Sequence, residues 1–173
     1  IFGNTEYIYQ YIGDEFKGEI EYDPSLLRVG YIDIETESEE GFPNIETANE
    51  RVNAITIKLR EKTFVFGLGQ FSIADENVKC FCYEDEERML KDFIAAWQTL
   101  DLDIVTGWNV NFFDIPYLVN RITRLFGEKE ALRLSPWGMA KSRIVEVMER
   151  KNEVYDLIGI SILDYFDLYR KFT

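Results

Sequence analysis

The chain of 173 residues contains no histidine. This absence excludes a Ser-His-Asp triad, a histidine general base and any zinc site with histidine ligands. Catalysis in this chain must therefore depend on carboxylates, hydroxyls, lysine, or cations that prefer oxygen ligands, such as Mg²⁺ and Mn²⁺.

Cysteines and long apolar runs are also scarce. The two cysteines, Cys80 and Cys82, are separated by one residue, so on a strand they point to the same face and cannot supply four zinc ligands. We interpret them as reduced thiols within or beside the core, which suits a cytoplasmic protein. No apolar run is long enough to cross a bilayer and no signal segment is evident, so we expect no membrane partner.

Acidic residues are abundant instead. There are 32 of them against 19 basic residues, which gives a formal net charge of −13. Proteins that bind nucleic acids usually present a basic surface, so this charge leaves two interpretations open. Either other parts of a longer protein supply the positive charge, or the chain is a non-catalytic acidic domain that binds metal ions or docks onto proteins. Because the chain begins at Ile1 and not at a methionine, we expect it to be an internal piece of a longer protein.

The spacing of apolar residues predicts an α/β domain with a mixed sheet and helices on its faces. Strands are predicted at residues 29–35, 52–59, 63–68, 78–83 and 103–107, and helices from residue 85 and over 114–127. The strands 52–59 and 63–68, joined by a charged turn, are predicted to form a first β-hairpin. A second β-hairpin is predicted from strands 143–149 and 154–159, with a polar tip at 150–153. A strand that runs into a helix is predicted over 160–172, and residues 1–28 are predicted to hold one or two short extended pieces.

Two acidic residues, Asp33 and Glu35, lie at the end of the first predicted strand. Residues two apart on a strand share a face and lie roughly 6.6 Å apart, so both carboxylates point the same way. The strand could simply run into solvent there, but two neighbouring carboxylates repel each other and a cation would relieve that repulsion. A third acid, Asp114, begins a predicted helix, where it could serve only as a helix cap. The asparagines and phenylalanines before it favour a further role, because such side chains can hydrogen-bond to and stack on an unpaired base.

Two stretches, YIDIET at 31–36 and GWNVNFFDIPYL at 107–118, resemble the Exo I and Exo II motifs of the 3′–5′ proofreading exonuclease domain of family B DNA polymerases. The resemblance covers nearly the whole chain and is closest to the replicative polymerases of T-even-like bacteriophages. It implies a ribonuclease-H-like (DnaQ-like exonuclease) fold, in which helices flank a mixed β-sheet and a β-hairpin is inserted. It also implies that residues 1–28 are a lead-in segment after the polymerase's N-terminal domain, that residues 29–173 are the exonuclease domain, and that the Exo III motif lies beyond Thr173.

The same resemblance assigns roles to particular residues. Asp33, Glu35 and Asp114 would be the catalytic residues and the ligands of two Mg²⁺ or Mn²⁺ ions. The residues expected to contact DNA are Thr36, Asn109, Phe113, Arg150 and Lys151, the last two from the hairpin that helps to part a primer end from its template. Asp164 and Asp167 are expected to have structural roles, with Asp167 as a helix cap.

The implied activity is hydrolysis of the 3′-terminal phosphodiester of frayed or single-stranded DNA during replication by a DNA-directed DNA polymerase. The implied partners are primer-template DNA, the remaining domains of the same polymerase chain, and the sliding clamp and other replisome proteins. The implied location is the cytoplasm, that of the host cell for a phage protein. Without Exo III, the chain alone is expected to be a weak or inactive nuclease. A ribonuclease-H-like domain that acts on RNA is a further alternative.

Overall fold

The computed structural model of the protein describes residues 7–19, 21, 23–38, 41–147 and 150–172. In chain order its helices and strands are α1 Tyr7–Glu15, β1 Val29–Thr36, β2 Val52–Leu59, β3 Lys62–Leu68, β4 Val78–Tyr83, α2 Glu86–Leu100, β5 Ile104–Gly107, α3 Asp114–Phe126, α4 Glu128–Ala131, β6 Ala140–Val147, β7 Arg150–Leu157, β8 Ser161–Asp164 and α5 Tyr165–Phe172. Short 3₁₀ turns lie at Pro24–Leu26 and Leu132–Leu134.

Six strands form one mixed sheet in the order β4-β3-β2-β1-β5-β8, and β6 pairs with β7 in a separate hairpin. Strands β1, β2 and β3 are antiparallel neighbours, whereas β5 is parallel to β1, β8 to β5 and β4 to β3. Tight turns can join the antiparallel strands, but parallel strands require longer connections, which here include helices α2 and α3. The arrangement is consistent with a ribonuclease-H-like fold, so the predicted α/β class, mixed sheet and hairpin are confirmed.

The core lies between the sheet and helices α2 and α3. Alternation along β1 buries Ile32 and Ile34 on this side and exposes Tyr31, Asp33 and Glu35 on the other. Each helix contributes the apolar stripe that its sequence period predicts, namely Met89, Leu90, Phe93, Ile94 and Trp97 from α2 and Ile115, Leu118, Val119, Ile122 and the half-buried Phe126 from α3. Because full burial of a large apolar side chain stabilises a fold by about 1.5–3 kcal/mol, these stripes fix both helices on one face of the sheet.

The prediction for the N-terminal segment is wrong where the structure describes it. Residues 7–15 form helix α1 and residues 24–26 form a 3₁₀ turn, so neither is an extended piece. The aromatic and β-branched residues of α1 favour strands in general, but strand propensity is realised only when a neighbouring strand packs against them. Ile8, Tyr9 and Tyr11 are exposed instead. Residues 1–6, 20 and 22 lie outside the described residues.

The predicted tip of the second hairpin is also wrong. Residues 150–153 are the first residues of β7 and pair with residues 144–147 of β6, so they belong to a strand and not to the tip. The polar character of residues 150–153 led to the wrong position for the tip. Both faces of a two-stranded ribbon can contact solvent, so polar residues are also compatible with its strands.

The expectation for the two cysteines agrees with the structure. Cys80 and Cys82 are free, half-buried thiols on β4. Among the described residues, no helix has both the length and the apolar character that crossing a membrane requires.

Candidate active site

Strand β1 extends past its parallel neighbour β5 and leaves part of its edge free of strand pairing. The pairing of β1 with β5 covers Val29 to Tyr31, whereas its pairing with β2 continues to Thr36. The chain can leave β5 close to β1 because residue 107 is glycine, where a Cβ would lie 2.5 Å from the carbonyl oxygen of Ile32. The loop 108–113 then leads into α3, and the first residue of this helix reaches the edge of β1.

That first residue is Asp114, which is only 3% exposed. Its Oδ1 accepts a hydrogen bond of 3.0 Å from the backbone N–H of Ile34, the residue between Asp33 and Glu35. The N-cap of α3 is Phe113, which makes no side-chain capping bond. Asp114 is therefore not the cap of its helix, and its carboxylate joins the helix to the strand that carries the other two acids.

The surroundings of Asp114 disfavour its negative charge. Burial is the main cause that raises the pKa of Asp114 to about 7, and the charges of Asp33 and Asp164 raise it further. The hydrogen bond from Ile34 acts in the opposite direction, because it stabilises the charged form. A divalent cation beside this carboxylate would reverse the balance by favouring the ionised state.

Asp33 and Glu35 are exposed and share the outer face of β1, as their spacing predicts. Among residues 7–19, 21, 23–38, 41–147 and 150–172, however, no three acidic, cysteine or histidine side chains are grouped closely enough to hold a metal ion. The structure thus brings Asp114 to the backbone of β1 and into the field of Asp33 without assembling all three acids as one compact ligand set. Their donor chemistry fits Mg²⁺ or Mn²⁺, since all three offer carboxylate oxygens.

A fourth acid, Asp164, lies at the end of β8 and is 4% exposed. Its Oδ1 accepts hydrogen bonds from the N–H groups of Asn109 and Phe166, and its Oδ2 accepts one from the N–H of Asn111, each at 2.9 Å. Asp164 therefore caps α5, which begins directly after it, and also binds the loop before α3. Asp167 lies exposed in the first turn of α5, so the prediction that Asp167 is the cap is wrong.

Three of the residues expected to contact DNA surround these acids. Thr36 is half-buried at the irregularity that shifts the register between β1 and β2. Asn109 is half-buried and adopts the left-handed conformation, with φ of 61°. Phe113 packs between Phe42 and Tyr117, with ring centroids 5.0 and 5.6 Å away. Phe113 therefore has a packing role in this structure, and the contacts of these residues with DNA stay predictions.

The hairpin formed by β6 and β7 also lies close to the loop 108–113. Lys151 is exposed on β7 and lines an open pocket of about 270 Å³ together with Phe112, Asn44 and other residues of the loop after β1. A phenylalanine of the Exo II stretch and a lysine of the hairpin therefore border one depression. The side chain of Arg150 lies outside the described part of the structure, and a role in DNA binding stays a prediction for both basic residues.

Comparison with known proteins decides the family. A family model described as DNA polymerase family B, exonuclease domain, matches residues 7–173. The chain belongs to this exonuclease domain family. The DNA-directed DNA polymerases of Escherichia phage RB69 and Enterobacteria phage T4 are 34% and 33% identical to it, and each match covers 99% of this chain. The DNA polymerase delta catalytic subunit of Drosophila melanogaster is 46% identical over a shorter stretch, 25% of this chain.

These matches confirm the resemblance that the Exo I and Exo II stretches indicate. The match of this family B exonuclease domain covers 22% of the length of each phage polymerase, and the shorter match covers 4% of the fly subunit. The similarity therefore establishes the domain family, and the activities of whole polymerases come to this chain only as proposals.

A buried ion pair that joins helices α2 and α3 of this exonuclease domain is not predicted from the sequence. Arg121 of α3 and Glu86 of α2 are each 6% exposed, with Nη2 and Oε2 2.6 Å apart. Glu86 also accepts a hydrogen bond from the N–H of Val52, and Arg121 donates to the carbonyls of Ala48 and Asn49. The network fastens the loop after β1 to both helices. Its one signal in the sequence is that Arg121 interrupts the apolar stripe of α3, whereas Glu86 is indistinguishable from its exposed acidic neighbours.

Proposed function

We propose that this exonuclease domain performs the 3′–5′ proofreading of a DNA-directed DNA polymerase, with Asp33, Glu35 and Asp114 as catalytic residues and as ligands of two Mg²⁺ or Mn²⁺ ions. The position of Asp114 carries the proposal. It is a buried acid with a pKa of about 7, and it binds the N–H of Ile34 between the two acids of β1. A carboxylate buried beside like charges destabilises a fold unless a cation offsets the repulsion.

The proposed reaction is hydrolysis of the 3′-terminal phosphodiester. Water adds to phosphorus, the bond to the 3′ oxygen of the penultimate nucleotide breaks, and a nucleoside 5′-monophosphate leaves. When bound, a pair of divalent cations supplies a hydroxide nucleophile and stabilises the departing oxygen. Asp33 and Glu35 would hold the ions from the exposed face of β1 and Asp114 from the start of α3, where the N–H of Ile34 fixes its carboxylate. This chemistry requires neither a protein nucleophile nor a histidine.

The proposed substrate is a frayed or single-stranded 3′ end of DNA, because an unpaired base leaves the stack at low cost. Thr36, Asn109, Phe113, Arg150 and Lys151 are the proposed contacts with this strand. The net charge of −13 opposes the approach of DNA, so the other domains of the polymerase would supply the positive surface. The sliding clamp and other replisome proteins, in the cytoplasm of the host cell, are proposed partners of the full-length polymerase.

Removal of the buried acid tests the proposal. In the full-length polymerase that contains this chain, Asp114→Ala should lower the release of nucleotides from a labelled single strand by at least about 100-fold, because metal stabilisation of the transition state amounts to several kcal/mol. Asp167→Ala is the control, because it removes the same kind of side chain at an exposed position, and it should retain activity. EDTA should abolish nucleotide release by both this control and the wild type. Polymerisation should be unchanged in each variant.

The net charge and the lack of a compact acidic group among the described residues favour one alternative, a non-catalytic acidic domain that binds metal ions or docks onto proteins. That alternative predicts that the wild-type polymerase releases no nucleotides from a 3′ end in a metal-dependent manner. Parallel assays with DNA and RNA oligonucleotides separate a deoxyribonuclease from a ribonuclease.

The role of the hairpin is tested separately. Lys151→Ala should weaken removal of a mismatched 3′ end from a duplex and leave hydrolysis of a single strand intact, because the hairpin is proposed to act where the strands part. Lys129→Ala, which changes an exposed lysine of α4, is the control. Equal losses on both substrates would place Lys151 at the site of hydrolysis instead.

A further inference from the structure

Asp164 takes no part in the proposed chemistry, yet it is almost as deeply buried as Asp114. We propose that Asp164 is a positioning residue of the exonuclease site, which fixes the loop 108–113 and thereby holds Asp114 against β1. This inference rests on the proposed function, because it assigns Asp164 a role in the same site.

Asp164 is held in place by hydrogen bonds to the backbone. The ion pairs of the described residues do not include it. Its carboxylate instead accepts hydrogen bonds from the backbone N–H groups of Asn109, Asn111 and Phe166, each at 2.9 Å. Hydrogen bonds to an ionised acceptor are roughly twice as strong as neutral ones, so two donors from one short turn hold that turn firmly.

The turn bound by Asp164 leads directly to the start of α3. The carbonyl of Asn109 accepts hydrogen bonds of 3.1 and 3.0 Å from the N–H groups of Phe112 and Phe113, the residue before Asp114. Asn109 itself has φ of 61°, a left-handed conformation that asparagine tolerates better than most residues. The hydrogen bonds from the N–H groups of Asn109 and Asn111 to Asp164 hold the turn in this conformation.

A second contact joins the beginning of the loop 108–113 to helix α5, which Asp164 caps. Trp108 packs against Phe166 and Tyr169 of α5, with ring centroids 5.1 and 5.7 Å away. Asp164 and α5 thus hold the loop through both a buried carboxylate and an aromatic cluster.

Asp114 depends on this support because the loop sets the position from which its side chain reaches β1. It is 3% exposed, and its Oδ1 accepts the hydrogen bond from the N–H of Ile34. Phe113, the residue directly before it, is hydrogen-bonded to Asn109 of the loop, so a movement of the loop would carry the carboxylate away from Ile34. A rigid loop prevents this movement, so the acid stays where the chemistry requires it.

Asp164→Asn is the most informative variant. It preserves size, but its amide NH₂ replaces one oxygen and meets a backbone N–H, so at least one of the three hydrogen bonds is lost. In the full-length polymerase this change should lower kcat for nucleotide release from single-stranded DNA by about 10–100-fold, the typical effect of losing a residue that orients a ligand. KM for the strand and the rate of polymerisation should be unchanged. Asp167→Asn, which changes an exposed acid of the same helix, should behave as the wild type.

An unchanged kcat in Asp164→Asn would overturn the proposal, and so would a rise in KM alone. Amide hydrogen exchange of the same full-length variants gives a readout that is independent of activity and of any general loss of stability. We expect faster exchange in the loop 108–113 and at Ile34, whose N–H binds Asp114, and no change in β2 and β3. Equal acceleration throughout the domain, or none at Ile34, would show that Asp164 has a purely structural role.

The two proposals fail in different ways. If the wild type and Asp167→Asn both release no nucleotides, the proposed exonuclease function is wrong. The exchange of the loop and of Ile34 then still decides whether Asp164 positions Asp114.

Discussion

The buried acid Asp114 makes the metal-free stability of this domain depend on pH. Its pKa of about 7 in the folded chain lies above the ordinary value of 3.8. A group whose pKa is raised by folding contributes most stability below its unfolded pKa, and this contribution is lost as the pH rises through the folded pKa. Asp114 should therefore destabilise the folded state progressively between pH values of about 4 and 7, and by a constant amount above that window.

The size of the effect follows from the shift. Each pKa unit corresponds to about 1.36 kcal/mol, so a shift of about three units gives about 4 kcal/mol across the whole window. Asp114→Asn retains an oxygen that can accept the hydrogen bond from Ile34, but it carries no charge. From a pH of about 5.5 to a pH of about 8, the variant should gain about 2 kcal/mol of unfolding free energy relative to the wild type.

Urea unfolding in EDTA, followed by tryptophan fluorescence at several pH values, measures this difference. The comparison with the wild type removes the contributions of the other acids, which both proteins share. Asp167→Asn is the control, because it removes the charge of a solvent-exposed acid and should give a curve parallel to that of the wild type. A parallel curve for Asp114→Asn as well would refute the argument from burial and the charge of Asp33.

Three further predictions concern the ion pair, the strand acids and the isolated chain. Arg121→Met should lower the unfolding free energy by about 3–5 kcal/mol, because it leaves Glu86 buried without its partner, and adding Glu86→Leu should restore part of the loss. If the double variant is no more stable than the single one, the unpaired charge is not the cause. Asp33→Ala with Glu35→Ala should leave the domain folded and slightly raise its melting temperature in EDTA by removing like charges, whereas a clear fall would indicate a structural role. The 173-residue chain alone should release few or no nucleotides from a labelled single strand with Mn²⁺, because acids that form no compact group among the described residues hold such ions weakly; robust trimming that Asp114→Ala abolishes would contradict this.

Much of the secondary structure is predictable because it depends on local periodicity. The strand 52–59 has the predicted bounds, and helix α3 begins at the predicted residue, Asp114. The hairpin turn and helix α1 are the failures, and both occur where few side chains are buried. A pattern of apolar residues carries information only where one side of an element faces a core.

Parts of the candidate site are predictable for the same reason and others are not. The period of a strand fixes that Asp33 and Glu35 share a face, whatever the rest of the fold. The sequence leaves the role of Asp114 ambiguous, since an acid at a helix start is also a common cap. It assigns the cap of α5 to Asp167, whereas Asp164 occupies that position, because the sequence does not define where the last strand ends and the helix begins.

The sequence by itself therefore determined the strands and helices that face the core, which side of each is apolar, and which acids are available for chemistry without histidine. The tertiary structure decided which of those acids meet. Asp114 binds the N–H of a residue 80 positions earlier, and Asp164 binds N–H groups 53 and 55 positions earlier. These contacts depend on β5 lying between β1 and β8 and on β1 extending past β5. Strand order and stagger arise from the packing of the whole sheet, which no local period encodes.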